Sequence, residues 1–319
     1  MRAAIVERYG PPEVLGIREV PTPEPGPEQV LVEIHASVVT PSDIAFRSGE
    51  LWIARLFAGP FKPRLPILGD AFAGTIVRLG AGVTRFAVGD RVAGSTGPEL
   101  AAHAEFAAVD QSGAIVKLAD GVAFGAAAGL ADGGLVALPF LRDQGRLQAG
   151  QHVLINGASG SIGTTAVQIA RAMGAVVTGV TSTGNLELVR SLGADRVIDY
   201  TAEDFTAADA AYDVIFDTVG KSSFARCHDA LKPDGVYLTP TPMLSPAMLR
   251  KSGRRARFAA TGLRKPADKA KDLIQLFDWV QEGRLRTVIE REYALAEIAA
   301  AHARVETGHK VGSIVVNVS

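Results

Sequence analysis

The sequence predicts an α/β protein of two domains, one of them built on a doubly wound parallel sheet. Its 319 residues exceed what one ordinary hydrophobic core holds, so two domains are expected. From about Gly121 the pattern changes from strands and turns to short apolar strands alternating with helices, which is typical of a parallel sheet covered on both faces. A third observation is the stretch INGASGSIG, which places glycines between one such strand and its helix.

The first third of the chain is predicted to be strands and turns. The stretches AAIVER, VLVEIHASVVT, FAGTIVRLGAGV and VGDRVAGS have strand patterns, and the proline-rich PTPEPGPEQ is a turn. The residues after Gly121, FGAAAGLADGGLVALPFLRDQG, indicate a helix with one apolar face.

The remaining elements alternate. The strands are predicted at HVLIN, AVVTGVT, RVIDY, YDVIFDTVG, GVYLTP, RARFAATG and SIVVNVS, and the helices at SIGTTAVQIARAMG, NLELVRSLG, SSFARCHDALKPDG, PADKAKDLIQLFDWVQEG and LAEIAAAHARVETG.

The composition excludes several classes of function. Hydrophobic residues make up 47% and charged residues 21%, which indicates a globular chain. The formal net charge of -1 provides no basic field for nucleic acid or an anionic membrane. Cys227 is a single cysteine, so no intrachain disulfide forms and a cytoplasmic location is expected. Glu7 interrupts the start of the chain where a secretion signal is apolar, and no stretch is expected to approach a membrane span.

The glycines of INGASGSIG predict a cradle for a pyrophosphate. Such a group needs exposed backbone N–H groups and the positive end of a helix dipole, with a glycine where the backbone meets the phosphates. Gly160 is that glycine, and Gly163 allows the helix to lie close to the strand. Ala158 breaks the strict G-x-G-x-x-G pattern, which Gly157 partly compensates. The predicted cofactor contacts here are Ser159, Gly160, Ser161 and Ile162; the alternative is a glycine-rich turn without a ligand.

The next strand favours NADPH over NADH. AVVTGVTSTGN carries no acid, whereas an NAD site usually places Asp or Glu there for the ribose hydroxyls. Ser182 and Thr183 can donate hydrogen bonds to a 2′-phosphate, although no Lys or Arg lies in this turn and Arg190 comes a helical turn or two later. Capping of the following helix is the alternative role for both hydroxyls.

Five stretches together resemble a known family. EQVLVEIHASVVTPSD, LGDAFAGTIVRLGAGVTRFAVGDRV, GQHVLINGASGSIGTTAVQIARAMGAVVTGV, LGADRVIDY and ALKPDGVYLT are similar to the medium-chain dehydrogenase/reductase superfamily, and within it to the zinc-free quinone oxidoreductase-like branch. The resemblance implies a catalytic domain built on a GroES-like β-barrel, residues 1–119 and 283–319, and a Rossmann NADP-binding domain, residues 120–282. It also implies a homodimer that pairs through the Rossmann sheets.

The resemblance also argues against a metal. Zinc members have Cys where this chain has Thr40, and a Gly-His-Glu stretch where it has Gly69, Asp70 and Ala71. Asp70 alone is a poor zinc ligand set. The histidines are scattered along the sequence and are interpreted as surface or packing residues: His35, His103, His152, His228, His302 and His309.

Without a metal, the chemistry that remains is hydride transfer from NADPH to an electron-poor acceptor, a quinone or an α,β-unsaturated carbonyl. The catalytic candidates are Thr40, which can hydrogen-bond a carbonyl or the nicotinamide ribose, Asp43 and Asp132. Asp43 can instead cap a turn or helix, and Asp132 can instead be exposed at a local break beside Gly133 and Gly134. The predicted proton source is solvent or Asp132.

The resemblance places further residues around the cofactor and the substrate. Two strand ends, FDTVG and LTPTP, are predicted to contact the cofactor through Asp217, Thr218, Val219 and Thr239. The residues predicted to line the substrate pocket are Phe46, Trp52 and Val136. Two alternatives stay open: an enoyl reductase that acts on a biosynthetic pathway intermediate, and a non-catalytic nucleotide-binding sensor protein of the same fold.

Overall fold

The computed structural model describes residues 1–50, 55, 59–241, 255–258 and 264–319. These residues form two compact units. Unit 1 comprises Met1–Asp132, Lys265–Phe277 and Thr287–Ser319, and unit 2 comprises Gly133–Arg264 and Asp278–Arg286. The predicted pocket residue Trp52 lies outside the described residues.

The strands are numbered along the chain. They are β1 (Arg2–Val6), β2 (Leu15–Glu19), β3 (Gln29–Val39), β4 (Ala71–Leu79), β5 (Arg91–Ser95), β6 (Phe106–Asp110), β7 (Ala114–Lys117), β8 (His152–Asn156), β9 (Val176–Thr181), β10 (Arg196–Asp199), β11 (Tyr212–Asp217), β12 (Leu231–Thr239), β13 (Arg255–Phe258), β14 (Ile289–Ala294) and β15 (Ser313–Asn317).

The described α-helices are numbered in the same way. They are α1 (Pro41–Ser48), α2 (Phe124–Pro139), α3 (Ser161–Ala172), α4 (Leu186–Ser191), α5 (Phe224–Cys227), α6 (Pro266–Gln281) and α7 (Ile298–Glu306). Where the sequence predicts one helix over SSFARCHDALKPDG, α5 ends at Cys227 and β12 already begins at Leu231.

Unit 1 is built on a largely antiparallel sheet in the order β14-β15-β3-β4-β5-β7, with β6 also paired to β3. Its strands bury alternate apolar side chains in one core, which includes Val32, Ile34, Phe72, Ile76 and Val316. The long strand β3 pairs with β4, β6 and β15, so it joins the strands from both ends of the sequence.

Unit 2 confirms the predicted parallel sheet. Its strands follow the order β10-β9-β8-β11-β12-β13, and every pairing is parallel. This order reverses between β8 and β11, because the chain runs outward in one direction from β8 and then returns to its other side. Ligands of such sheets bind beyond the carboxyl ends of the strands at this reversal.

The compact units do not coincide with the predicted domain bounds. The first part of α2, up to Asp132, belongs to unit 1, where Thr287 Oγ1 donates to Ala126 O at 2.7 Å. Small residues allow this approach: a Cβ on Gly129 would lie 2.7 Å from Thr287 Cγ2. The first part of α6 also belongs to unit 1, although the sequence assigns it to the Rossmann domain.

The helix α2 corrects the expectation that no stretch approaches a membrane span. Together with the π-helix Phe140–Gln144 that follows it, α2 forms a helix, Phe124–Gln144, that by length and composition alone could cross a membrane, the one such helix among the described residues. Within the structure 72% of its most apolar window is buried. A helix of a protein core passes the same test.

Candidate functional site

The glycine stretch connects β8 to α3 in unit 2. Gly157 has φ +78°, and Gly160 is the N-cap residue of α3. A Cβ on Gly163 would lie 2.0 Å from Gly157 O, so only glycine lets the helix pack this close to the strand, as predicted. Among the described residues beyond its chain neighbours, a Cβ on Gly160 would have only Gly157 O within 4 Å, at 3.5 Å. Packing against the chain therefore does not require a glycine there, and the open space fits a ligand that approaches the backbone.

The residues around Gly160 fit a pyrophosphate. Ser159 and Ile162 are half-buried, and Ser161 is buried at the first position of α3. The hydroxyl of Thr181, at the end of β9, donates to Ser159 Oγ at 2.8 Å and holds the loop in place. A 12-residue helix presents the positive end of its dipole at this point. These residues would hold the cofactor by backbone N–H groups and hydroxyls.

The turn after β9 contacts an acid that the sequence interpretation missed. Asp199, the last residue of β10, pairs in register with Thr181. Thr183 Oγ1 donates to Asp199 Oδ2 at 2.5 Å. The hydrogen bond from Thr183, followed by those from Thr201, lowers the pKa of Asp199, so its carboxylate is charged at neutral pH. The acid comes from the neighbouring strand, so the segment AVVTGVTSTGN alone does not reveal it.

The carboxylate of Asp217, predicted as a cofactor contact, is fully buried and bonded to the chain itself. It accepts hydrogen bonds from the side chains of Asn156 (2.9 Å) and Tyr237 (2.8 Å) and from backbone N–H groups of the segment that follows β11: Val219 (3.3 Å), Gly220 (3.0 Å) and Ser222 (3.0 Å). The carboxylate thus positions the ends of β8, β11 and β12.

The other predicted contacts at these strand ends differ in exposure. Thr218 Oγ1 donates to Asn156 O at 2.8 Å, which ties the end of β11 to the end of β8. Val219 is 45% exposed, whereas Thr239 is only 1% exposed and accepts a hydrogen bond from Thr241 N. A Cβ on Gly157 would approach Thr218 Oγ1 at 2.8 Å, so this strand end lies directly against the glycine loop.

Thr40 and Asp43 form a capping box at the start of α1 in unit 1. Asp43 Oδ2 accepts from Thr40 N (2.8 Å) and Thr40 Oγ1 (2.7 Å), and Thr40 Oγ1 accepts from Asp43 N (3.3 Å). Asp43 Oδ1 accepts from Gly69 N at 2.9 Å. The capping role that the sequence left open for Asp43 is therefore present, and it ties α1 to the residues before β4.

The predicted pocket residues Phe46 and Val136 are both half-buried. Phe46 packs against the core of unit 1, and Val136 lies in α2 within unit 2.

Asp132 lies near a lysine that the sequence did not single out. Lys310 Nζ donates to Gly312 O at 2.7 Å, and burial lowers the pKa of Lys310 while the charges of Asp132 and Glu290 raise it. Asp132, itself half-buried, thus has a cation within electrostatic range.

Asp70 is a second acid near Asp43, and the sequence had considered it only as a zinc ligand. Asp70 Oδ1 accepts from Ser95 Oγ at 2.6 Å and from Gly97 N at 2.8 Å. Burial raises the pKa of Asp70, and the Asp43 carboxylate adds to that shift; the Ser95 hydroxyl, the Lys269 ammonium and the Gly97 N–H oppose it.

Two of the histidines that look scattered in the sequence meet in the fold. His103 and His302 are fully buried, with ring centroids 5.8 Å apart. Among the described residues, no group of three or more His, Cys, Asp or Glu side chains is arranged to hold a metal ion.

In unit 2 an open glycine loop lies where the strand order of the parallel sheet reverses, and unit 1 of the same chain is built on a mixed sheet. This combination is typical of a nucleotide-binding protein of two parts. Family models match both parts. Residues 26–184 match an alcohol dehydrogenase GroES-like domain, and residues 192–316 match a family described as zinc-binding dehydrogenase. The predicted combination of a GroES-like domain with a dinucleotide-binding sheet is confirmed.

Individual relatives cover the whole chain. A quinone oxidoreductase of Pseudomonas aeruginosa is 32% identical over 97% of this chain and 97% of the relative. A trans-enoyl reductase (pgmF) of Aspergillus terreus is 30% identical over 92% of this chain and 87% of the relative. The solved structure of a quinone oxidoreductase from Coxiella burnetii matches with TM-score 0.89 and 31% identity, over 100% of this chain and 99% of that one.

The chain belongs to the medium-chain dehydrogenase/reductase superfamily, in its quinone oxidoreductase-like branch. This membership and the glycine loop together support an oxidoreductase that uses a nicotinamide cofactor.

Proposed function

We propose that the protein is an NADPH-dependent reductase that transfers a hydride to a quinone or to the β-carbon of an α,β-unsaturated carbonyl, without zinc. The observation that carries this proposal is the open space above Gly160, at the reversal of the strand order. The names of the relatives, which include a quinone oxidoreductase and an enoyl reductase, agree with it.

When bound, the cofactor supplies the hydride, and the chain supplies position and hydrogen bonds. The loop at Ser159–Ile162 would hold the pyrophosphate, and the exposed Val219 would contact the ribose or the nicotinamide. Thr40 is half-buried at the start of α1, and its hydroxyl would hydrogen-bond the substrate carbonyl or the ribose. Because Asp43 is fully bonded within the chain, its role is to position Thr40.

NADPH is the proposed donor because Ser182 and the exposed Thr183 follow β9, and no acid stands in that segment. The carboxylate of Asp199 acts against a 2′-phosphate, because it is charged and bonded to Thr183. We therefore expect Asp199→Asn to tighten NADPH binding and to leave NADH binding nearly unchanged. Asp204→Asn, which removes an acid from the loop after β10, is a matched control.

The test has two stages. The pure protein is titrated with NADPH and with NADH while the fluorescence of the cofactor is followed. NADPH absorbance is then recorded with 9,10-phenanthrenequinone and with a simple enone, before and after treatment with a strong zinc chelator. The proposal expects binding, turnover and no loss of activity to the chelator. Loss of activity that zinc restores would overturn zinc independence, and absence of binding to either cofactor would overturn the whole proposal.

An enoyl reductase that acts on a pathway intermediate is the second candidate, supported by the Aspergillus terreus relative. Turnover of an enoyl thioester with a higher kcat/KM than any quinone would favour it. Binding of NADPH without turnover of any acceptor would instead favour a sensor protein. For the intact protein we propose a small-molecule substrate, a homodimer and a cytoplasmic location; light scattering of the pure protein tests the dimer.

A further inference from the structure

We infer that Asp70 is the proton donor of the reduction: its Oδ2 protonates the substrate oxygen that becomes negative when the hydride arrives. This inference rests on the proposed function, since it assigns the second half of that reaction. It replaces the earlier candidates for this step, Asp132 and solvent, with a residue held beside Thr40 and Asp43.

The position of the carboxyl group favours this role. Asp70 directly follows Gly69, whose N–H donates to Asp43 Oδ1 at 2.9 Å, so Asp70 adjoins the capping box that contains Thr40. Backbone bonds fix the residue further, because Thr96 N donates to Asp70 O at 2.8 Å. One residue, Asp43, therefore holds both the proposed substrate-binding hydroxyl and the backbone next to Asp70.

The two oxygens of the carboxyl group have different surroundings. Oδ1 accepts two hydrogen bonds, from Ser95 Oγ and Gly97 N, which set the plane of the group. Within the part of the chain that the structure describes, Oδ2 accepts no hydrogen bond, and Asp70 is only half-buried. One oxygen is thus used for orientation, and the other is left for a ligand.

The charges around Asp70 allow it to exist in both protonation states. Burial and the neighbouring Asp43 carboxylate raise the pKa of Asp70, which favours the protonated acid. Lys269, on α6, is almost completely buried, and its charge acts in the opposite direction. The ammonium group would stabilise the carboxylate that remains after the proton has left.

The step is balanced. The C–H bond of the nicotinamide that carries the hydride breaks, so the cofactor is oxidised by two electrons and the hydride binds the β-carbon. The π electrons of the C=C bond form a new double bond between the α-carbon and the carbonyl carbon, and the π electrons of the C=O bond move to the oxygen, which becomes negative. The O–H bond at Asp70 Oδ2 then breaks, its proton goes to that oxygen, and the electron pair stays on the carboxylate. The resulting enol tautomerises to the saturated carbonyl by proton exchange with water. Water returns a proton to Asp70 before the next turnover. A quinone follows the same course, with its oxygens accepting charge and proton.

The first test is Asp70→Asn, which keeps the shape of the side chain and an oxygen for the two donors. We expect kcat for an enone to fall by about 100-fold, the lower range for loss of a general acid, with an unchanged dissociation constant for NADPH. In the wild type kcat should fall as the pH rises through the pKa of Asp70, because the protonated form is active. In the variant this fall should disappear.

A second variant moves the pKa and leaves Asp70 in place. Ser95→Ala removes the hydroxyl that lowers the pKa of Asp70, so the fall in kcat should shift to higher pH. Ser37→Ala is the matched control, because Ser37 is also buried and its hydroxyl donates to the backbone of the adjoining residue, Ala71 O at 3.0 Å. An unchanged pH profile in Ser95→Ala would contradict the inference.

A measurement without cofactor separates this inference from the proposed function. The infrared difference spectrum between wild type and Asp70→Asn, taken across a pH series, should show the carbonyl band of a protonated carboxyl group that persists well above the usual range of Asp. If Asp70 is ionised throughout, the inference is wrong even if the enzyme turns over. If the band is present but no acceptor is reduced, the proposed function fails and the proton donor with it.

Discussion

Asp217 in unit 2 and Arg47 in unit 1 are both fully buried charged residues, but they differ in how many of their polar atoms are hydrogen-bonded. Asp217 in unit 2 accepts hydrogen bonds from five donors. Arg47 in unit 1 is equally buried, yet only its Nη2 is bonded, to Glu306 Oε1 at 2.8 Å. Among the described residues, its Nε and Nη1 have no hydrogen-bond partner, and neither do His103 Nδ1 and both ring nitrogens of His302.

This difference in hydrogen bonding implies that Asp217 stabilises the fold and that Arg47 contributes little to its stability. A fully satisfied polar network in a low dielectric stabilises one arrangement, and Asp217 uses it to join three strand ends beside the glycine loop. A buried cation with missing partners contributes little, because its desolvation cost is only partly offset. We therefore expect substitutions of Asp217 to lower the free energy of unfolding strongly and substitutions of Arg47 to change it little.

Asp217→Ala should have the largest effect. It leaves buried donors from Asn156, Tyr237 and the backbone without an acceptor, and we expect a loss of about 3–5 kcal/mol in the free energy of unfolding. Urea denaturation measures it. Asp213→Ala on the same strand is the control, because the donors to Asp213, Lys232 and the backbone of the exposed His152, can be solvated by water after the change, so it should cost about 1 kcal/mol or less. Equal losses in the two variants would refute the special position of Asp217.

Tyr237→Phe should have the next largest effect. It removes one hydrogen bond to a buried carboxylate, which is worth about 1.5–3 kcal/mol. Burial raises the pKa of Tyr237, so the hydroxyl stays a donor over the whole accessible pH range. Tyr212→Phe is the matched control, since Tyr212 is also buried and its hydroxyl is influenced by the neutral side chain of Thr178, so it should lose at most about 0.5–1.5 kcal/mol. A Tyr237 loss no larger than that would mean that the carboxylate finds another donor.

Local patterns made the glycine loop and the parallel sheet predictable. Gly160 and Gly163 follow a strand and begin a helix, so their roles depend on a few adjoining residues. The contacts of Asp199 and Asp70 were not predicted because their partners are distant in the sequence. Asp199 lies beside the turn after β9 because β10 pairs with β9. Asp70, just before β4, accepts a hydrogen bond from Ser95 at the end of β5.

The buried polar residues Arg47, His103 and His302, called the polar centre, could not be predicted for a similar reason. The bond of Arg47 to Glu306 spans 259 positions, and His103 and His302 come from distant parts of the sequence. A single sequence carries no signal for such contacts. The capping role of Asp43 was expected as an alternative because it depends on only a few adjoining residues, although the reciprocal bond with Thr40 was not predicted.

The pH dependence of stability tests whether His302 is buried in its neutral form. Burial, followed by the nearby His103 and Arg47, lowers the pKa of His302 well below its usual value, so the unfolded chain binds the proton more tightly. Stability should fall as the pH drops below about 6.5, by at most about 1.4 kcal/mol for each pH unit from this group. His302→Leu should remove this part of the slope, and the exposed His309→Leu should not. An unchanged slope in His302→Leu would show that His302 does not titrate on unfolding.

Arg47→Met should have the smallest effect and is the strictest test of the comparison. Methionine fills the space of the arginine stem and removes the two unpartnered donors together with the buried charge. Glu306 is 40% exposed, so water can solvate the carboxylate that is left. We expect a change in the free energy of unfolding within about 1 kcal/mol, since apolar replacement of a buried ion is often neutral or stabilising. A loss as large as that of Asp217→Ala would mean that water molecules complete the bonds of Arg47, so that both units depend on satisfied polar networks.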